Sequence, residues 1–124
     1  MDWTLEVAFL PVTDVDRAKE FYTRIGFNPD HDQSPSDDVR FVQMTPPGSS
    51  CSIAFGKGIV DRSGPNAGPL MLCVSDIQVA RKQLVEAGVD ASEVDEQPWG
   101  HFVYFTDPDG NDWNVQYLPY RYES

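Results

Sequence analysis

The second half of this chain repeats the first. Sliding the sequence over itself by 62 residues, half of its 124, aligns the two halves without a gap. The identical pairs are Leu10/Leu72, Val12/Val74, Asp14/Asp76, Ala18/Ala80, Gly26/Gly88, Pro46/Pro108 and Gly48/Gly110. Each pair falls where a helix or strand is expected to begin, pack or end. The chain is therefore expected to fold as two copies of one structural unit.

Each half opens with the pattern of a strand followed by a helix. The apolar segments 5–12 and 70–74 lead into Asp14 and Asp76, whose carboxylates can accept hydrogen bonds from the first free N–H groups of a helix. Apolar residues then recur at helical spacing in both halves. Gly26 and Gly88 follow these stretches, and glycine is typical just after a helix C-terminus.

Two further strands joined by a turn complete each half. Polar loops are predicted over 28–38 and 90–100, with a short strand hidden in 27–30 and 89–92. The paired strands are predicted at 39–44 and 51–55, and at 101–106 and 113–118. The fold class is therefore α+β, with two tandem βαβββ modules at about 1–60 and 65–124 in one domain spanning 1–124. The helices should cover the convex side of a curved mixed sheet, leaving a cleft on the concave side.

Two sequence stretches resemble a known superfamily. They are V-T-D-V-D-R-A-K-E-F-Y at 12–22, and F-T-D-P-D-G-N-D-W at 105–113. They are similar to the vicinal oxygen chelate superfamily, which includes glyoxalase I, the fosfomycin and bleomycin resistance proteins and the extradiol dioxygenases. The resemblance covers nearly the whole chain and implies the fold more strongly than the reaction.

The resemblance also implies where a divalent metal would bind. The four metal-ligand positions of the superfamily fall on Val7, Pro69, Ser52 and Asn114 in this sequence. Val and Pro side chains have no lone pair to donate, and Ser and Asn are poor ligands for first-row metals. We therefore expect no metal ion and no other cofactor.

Strand alternation predicts which side chains line the cleft. The candidate ligand-binding residues are Phe9, Ser52, Met71, Phe102, Tyr104, Asn114 and Gln116. Arg40, which the offset of 62 pairs with Phe102, is the one strand cation expected to reach this lining. Such an apolar and aromatic wall with a few polar groups is typical of a small-molecule pocket. The alternative is a second core or a dimer interface.

The candidates for acid–base chemistry are Tyr104, His101 and Glu6. None has a visible partner in the sequence, so the catalytic residues stay unknown. The first functional hypothesis is a metal-free binding protein of the bleomycin resistance type. The alternative is a lyase, isomerase or dioxygenase of the same superfamily, either metal-independent or metal-dependent through ligands that the sequence does not reveal.

The charge balance limits the classes of partner that the chain is expected to bind. Nine basic and twenty acidic residues give a formal charge of −11, which disfavours nucleic acid and anionic membranes. The sequence shows neither a membrane-spanning apolar run nor a secretory signal, so a cytoplasmic location is expected. The expected partners are a small organic molecule, neutral or cationic and aromatic, and a second copy of the chain in a homodimer, because one copy leaves sheet edges and an apolar face uncovered.

Overall fold

The computed structural model describes residues 1–60, 64–66 and 68–121. The chain separates into two compact units, Met1–Asn66 and Ala67–Ser124. We refer to them as unit 1 and unit 2 and describe each by itself.

Unit 1 contains one helix and a four-stranded mixed sheet. Its elements are β1 (Val7–Phe9), α1 (Val15–Arg24), β2 (Asn28–Ser36), β3 (Val39–Thr45) and β4 (Ser52–Lys57). The strand order is β1-β4-β3-β2. β1 and β4 are parallel, while β3 pairs antiparallel with both β4 and β2.

Unit 2 has the same topology. Its elements are β5 (Leu70–Cys73), α2 (Ile77–Glu86), β6 (Asp95–Gln97), β7 (Gly100–Thr106) and β8 (Asp112–Tyr117), followed by a short 3₁₀ helix at Pro119–Arg121. The strand order is β5-β8-β7-β6, again with only the first pair parallel. The predicted α+β fold with tandem βαβββ modules is confirmed. Both α-helices are ten residues long, and in the described ranges no helix has the length and apolarity needed to cross a membrane.

The helix boundaries follow from the residues that predicted them. Asp14 accepts a hydrogen bond from the backbone N–H of Arg17 at 3.0 Å, and Asp76 accepts two at the start of α2. Gly26 and Gly88 have φ of 105° and 83°, a left-handed conformation that glycine adopts without a Cβ clash.

Each helix covers one face of its own sheet. In unit 1, Tyr22 of α1 is fully buried, and its ring lies 5.9 Å from that of Phe55 on β4. In unit 2 the buried face carries Trp113 and Val115 of β8 beside Phe105 of β7. Because alternate strand residues point to opposite faces, the remaining strand residues form a second face on each sheet. We call this second face the helix-free face.

The turn between β7 and β8 is held by a buried carboxylate. Oδ1 of Asp107 accepts hydrogen bonds from the backbone N–H groups of Asp109 and Asn111, at 2.9 and 2.8 Å. Its Oδ2 accepts a third from the side-chain amide of Asn111 at 2.8 Å. Asp107 is 4% exposed and Asn111 is 1% exposed. The turn predicted between these two strands is therefore present.

Two strand predictions are wrong. The region 28–38 was expected to be a polar loop, but β2 runs through it for nine residues, all of them exposed. β2 is an edge strand that pairs only with β3, so it needs no apolar alternation and tolerates Pro29 and Pro35. In the second half the short strand lies at Asp95–Gln97 and not within 89–92.

Candidate functional site

The helix-free face of unit 2 brings together five of the seven predicted ligand-binding residues. Asn114 on β8 pairs with Met71 on β5 and with Tyr104 on β7. In the next row, Gln116 pairs with Phe102. Directly paired residues point to the same face of a sheet, so these side chains form one continuous surface.

A hydrogen bond fixes Tyr104 at one edge of this surface. Its hydroxyl donates to Oδ2 of Asp95 on β6 at 2.6 Å. The Tyr104 backbone N–H donates to Oγ of Ser92 at 2.9 Å, and its carbonyl accepts from the Ser92 N–H. The hydrogen bond to Asp95 raises the pKa of the Tyr104 phenol, and burial adds to the effect. Tyr104 is therefore a neutral phenol at physiological pH, and the raised pKa makes it a poor general base.

Aromatic and amide groups lie side by side on the same face. The rings of Phe102 and Tyr104 are parallel within 4°, with their centroids 6.5 Å apart. Tyr104 is 38% exposed and Met71 is 53% exposed. The side-chain amides of Asn114 and Gln116 are half-buried and make no hydrogen bond to any residue that the structure describes. Phe102 itself is only 8% exposed, so the accessible apolar surface beside these amides comes from Tyr104 and Met71.

A cavity of about 470 Å³ adjoins Tyr104 and Asn114. It is lined by Pro69, Asp90, Ser92, Tyr104, Phe105, Thr106, Asp112, Trp113 and Asn114. This volume falls in the range of small-molecule pockets. The lining includes two carboxylates, Asp90 and Asp112, and no basic residue. The cavity is therefore suited to an uncharged or cationic group.

The helix-free face of unit 1 carries a chain of polar groups. Oγ of Ser52 on β4 lies 2.6 Å from Oγ1 of Thr45 on β3, whose hydroxyl donates to Oδ2 of Asp30. The side-chain amide of Asn28 donates to the other Asp30 oxygen at 2.6 Å. These hydrogen bonds lower the pKa of Asp30, that from Thr45 most strongly.

Phe9 and Ser52, the other two predicted ligand-binding residues, belong to unit 1. Phe9 on β1 is 45% exposed, while Ser52 is buried and is engaged by Thr45. They lie on the helix-free face, since Ser52 pairs with Val7 and Phe9 pairs with Ala54.

The structure places the three candidates for acid–base chemistry on different elements. His101 pairs with Tyr117 and lies on the helix side of β7, opposite to Tyr104. Glu6 belongs to unit 1, where it precedes β1 and is exposed. Tyr104 is the only one of the three on the helix-free face of unit 2. Within unit 2, His101 and Tyr104 therefore cannot share a proton across the sheet.

The prediction that Arg40 reaches the cleft lining is wrong. Its guanidinium donates to Asp16 of α1 at 2.7 Å and to Asp32 of β2 at 2.8 Å, so it lies on the helix side. The offset of 62 pairs Arg40 with Phe102, but the strand registers make Gln43 the counterpart of Phe102. The difference of three residues is odd, and an odd shift moves a side chain to the other face of a strand.

The implied metal positions also need one correction. Val7 pairs with Ser52 in unit 1, and the residue that pairs with Asn114 in unit 2 is Met71, not Pro69. Neither pair offers an imidazole or a carboxylate, and the hydroxyl of Ser52 is already engaged by Thr45. Throughout the described residues, no group of three or more His, Cys, Asp or Glu side chains could hold a metal ion. These donors do not fit the superfamily's divalent metal.

Sequence reasoning missed the two carboxylates that hold the site hydroxyls. Asp95 and Asp30 lie in segments that the sequence predicts to be polar loops. The signal that could have identified them is a carboxylate on an edge strand beside a Tyr or Thr on the neighbouring strand. Detecting it requires the strand register, which the sequence offset misplaces.

Comparisons with known proteins agree with this architecture. Residues 2–115 match the family model for the Glyoxalase/Bleomycin resistance protein/Dioxygenase superfamily. The uncharacterized protein YetH of Bacillus subtilis (strain 168) is 26% identical over 103 residues, which is 81% of this chain and 86% of YetH.

Two solved structures resemble the chain closely. The antibiotic binding protein TnmS3 from Streptomyces sp. CB03234 is 28% identical, with a TM-score of 0.80 over 94% of this chain and 97% of TnmS3. A superfamily member from Sphaerobacter thermophilus DSM 20745 is 30% identical, with a TM-score of 0.79 over 94% of this chain and 98% of that protein. Because the βαβββ unit is repeated and the family model matches most of its length, the chain belongs to the glyoxalase/bleomycin resistance protein/dioxygenase superfamily.

Proposed function

We propose that this protein binds a small planar aromatic molecule, neutral or cationic, on the helix-free face of unit 2, without a metal ion. The observation that carries the proposal is the parallel pair of Phe102 and Tyr104 beside the amides of Asn114 and Gln116. A flat aromatic ligand can stack on the exposed ring of Tyr104, beside the largely buried ring of Phe102, while the amides hydrogen-bond to its polar edge.

The charge of the site supports the choice of ligand. The cavity next to Tyr104 contains Asp90 and Asp112, and the whole chain has a formal charge of −11. A negative field attracts cations and repels phosphorylated compounds, and aromatic faces favour an ammonium group. We therefore propose that the protein discriminates against anions.

The structural relatives support binding over catalysis. TnmS3 is described as an antibiotic binding protein, and this chain shares its fold over almost its full length. The donor set at the implied metal positions does not fit a metal, and His101 and Tyr104 lie on opposite faces of β7. A binding protein that sequesters its ligand needs neither a metal site nor a pair of acid–base residues.

The proposal is tested by calorimetric titration with three probes that share one ring system: naphthylmethylamine, naphthylmethanol and naphthyl phosphate. The amine and the alcohol should bind, and the phosphate should bind at least about tenfold more weakly. Tyr104→Ala should weaken binding of the amine and of the alcohol by about tenfold, because it removes the stacking surface. Glu96→Ala, on the neighbouring strand but pointing to the other face, is the matched control. Tighter binding of the phosphate, or an unchanged affinity in Tyr104→Ala, would contradict the proposal.

We also propose that two copies of the chain associate. Trp3 and Leu5 are 87% and 73% exposed, and they lead into the half-exposed Phe9 on β1. Large apolar side chains grouped in this way mark surfaces that associate with a partner. Light scattering at micromolar concentration should give twice the chain mass of 13.9 kDa. Trp3→Ser with Leu5→Ser should shift the mass toward that of one chain, and a wild-type mass of 13.9 kDa would contradict the dimer.

A further inference from the structure

The hydroxyl of Tyr104 has its only hydrogen committed to Asp95. A carboxylate at neutral pH carries no hydrogen, so the 2.6 Å contact between Tyr104 and Oδ2 of Asp95 must be donated by the phenol. The other oxygen of Asp95 accepts from the side-chain amide of Gln97 at 2.9 Å. The carboxylate is therefore held from both sides, and the phenol keeps only its lone pairs for a ligand.

The second hydroxyl near Tyr104 is committed in the same way. Oγ of Ser92 donates to the backbone carbonyl of Glu93 at 2.9 Å and accepts from the Tyr104 N–H. The two carboxylates of the adjoining cavity, Asp90 and Asp112, can also only accept. These three groups therefore face a ligand as acceptors, whereas the amides of Asn114 and Gln116 on the same face can donate as well as accept.

We propose that Asp95 is a positioning residue that makes Tyr104 an obligatory hydrogen-bond acceptor, so that the phenol favours aromatic ligands that place an N–H or O–H donor against it. The inference rests on the proposed function and adds the ligand property for which the site selects. An aromatic compound that offers only acceptors, such as an ether or a carboxylate, leaves its lone pairs opposite those of Tyr104.

Unit 1 contains the same arrangement at the equivalent position. Thr45 lies beside Ser52 as Tyr104 lies beside Asn114, and the hydroxyl of Thr45 donates to Asp30. Because the hydrogen of Thr45 is committed, Ser52 must be the donor in their 2.6 Å contact. An edge-strand carboxylate that fixes the direction of a strand hydroxyl therefore occurs in both halves.

The test uses two uncharged probes, naphthylmethanol and its methyl ether. They differ in one hydrogen-bond donor and have no charge, so the acidic field of the protein acts equally on both. Calorimetric titration should show that the alcohol binds about three- to tenfold more tightly than the ether, the range expected for one hydrogen bond. In Asp95→Asn the phenol regains a choice of partner, and the ratio of the two affinities should fall toward one.

Two further variants separate positioning from folding. Tyr104→Phe keeps the ring but removes the acceptor, so its ratio should also fall toward one. Glu96→Gln makes the same charge change on the same strand but on the other face, and it should keep the wild-type ratio. Equal wild-type affinities for alcohol and ether, or a ratio that survives in either Asp95→Asn or Tyr104→Phe, would overturn the inference while leaving the proposed function intact. If neither the two probes nor naphthylmethylamine binds, the proposed function itself fails and the inference fails with it.

Discussion

The phenol of Tyr104 on β7 donates a 2.6 Å hydrogen bond to Asp95 on β6, and this contact raises the pKa of the phenol above its ordinary value of 10.0. The bond joins the short edge strand of unit 2 to the strand that carries both aromatic rings of the candidate site. It therefore contributes both to the shape of the site and to its hydrogen-bonding character.

The Asp95→Asn variant should lower the pKa of Tyr104. Ultraviolet titration of the phenolate band, taken as the difference between each protein and its Tyr104→Phe counterpart, measures this one group. A tyrosine whose folded-state pKa is raised contributes stability below pH 10, which is lost as the pH rises through the folded-state value. Wild-type Tyr104 ionising at or below its ordinary pKa would contradict the geometry.

Arg40→Gln should destabilise unit 1 by up to about 1 kcal/mol, since its ion pairs with Asp16 and Asp32 are partly exposed. Hydrogen bonds from Arg40 and Lys19 hold the pKa of Asp32 far below its usual 3.8. A depressed carboxyl pKa gives stability that is complete above pH 3.8 and is lost as the pH falls toward the folded-state value. The difference between wild type and variant in urea unfolding should therefore shrink below about pH 4.

Lys82→Gln is the matched control for Arg40→Gln, because it removes an exposed positive charge whose partner among the described residues is Glu86 at 3.9 Å. Binding of naphthylmethylamine should be unchanged in Arg40→Gln, because Arg40 lies on the helix side of its sheet. A larger effect on binding than on unfolding would show that Arg40 acts at the ligand site after all.

Asp107→Ala should lower the free energy of unfolding by about 2–4 kcal/mol, because it leaves two backbone N–H groups and one buried amide without their acceptor. Chemical denaturation followed by circular dichroism measures the change. Asp37→Ala removes an exposed carboxylate from unit 1 and serves as the control. A loss no greater than in this control would mean that the turn does not depend on the carboxylate.

The repeat in the sequence predicts the topology well and the register poorly. The two helices obey the offset of 62, since Asp14 and Asp76 cap them. β3 and β7 do not: Met44 pairs with Ile53 as Val103 pairs with Val115, whereas the offset would make Thr106 the counterpart of Met44. Differences in loop length cause these shifts, and loops tolerate them at little energetic cost. An ungapped comparison therefore has no means of detecting them.

The side chains of the candidate site could be predicted only where strand alternation alone determines the face to which they point. Phe102, Tyr104, Asn114 and Gln116 were placed together correctly because each pair lies on adjacent strands of one hairpin. Asp95 was missed because its strand is three residues long, too short for any apolar pattern. A hydrogen bond between neighbouring strands depends on tertiary pairing, which propensity and periodicity do not encode.

Protein purified without an affinity tag should contain no stoichiometric divalent metal. The side chains at the implied positions, Val7, Ser52, Met71 and Asn114, include no imidazole, thiolate or carboxylate. Elemental analysis by mass spectrometry measures the content directly. Near-stoichiometric zinc, nickel, iron or manganese that chelators remove together with ligand binding would contradict the metal-free site.

The most direct test of the account is to locate a bound aromatic probe by nuclear magnetic resonance. Titration of naphthylmethylamine into isotope-labelled protein should shift the side-chain amide signals of Asn114 and Gln116, together with the backbone signals of β7 and β8. A competing location is the 400 Å³ depression along α1, lined in part by Asp16, Lys19 and Arg24. Shifts confined to α1, with the amide signals of Asn114 and Gln116 unmoved at saturation, would contradict the assignment of the ligand to the helix-free face of unit 2.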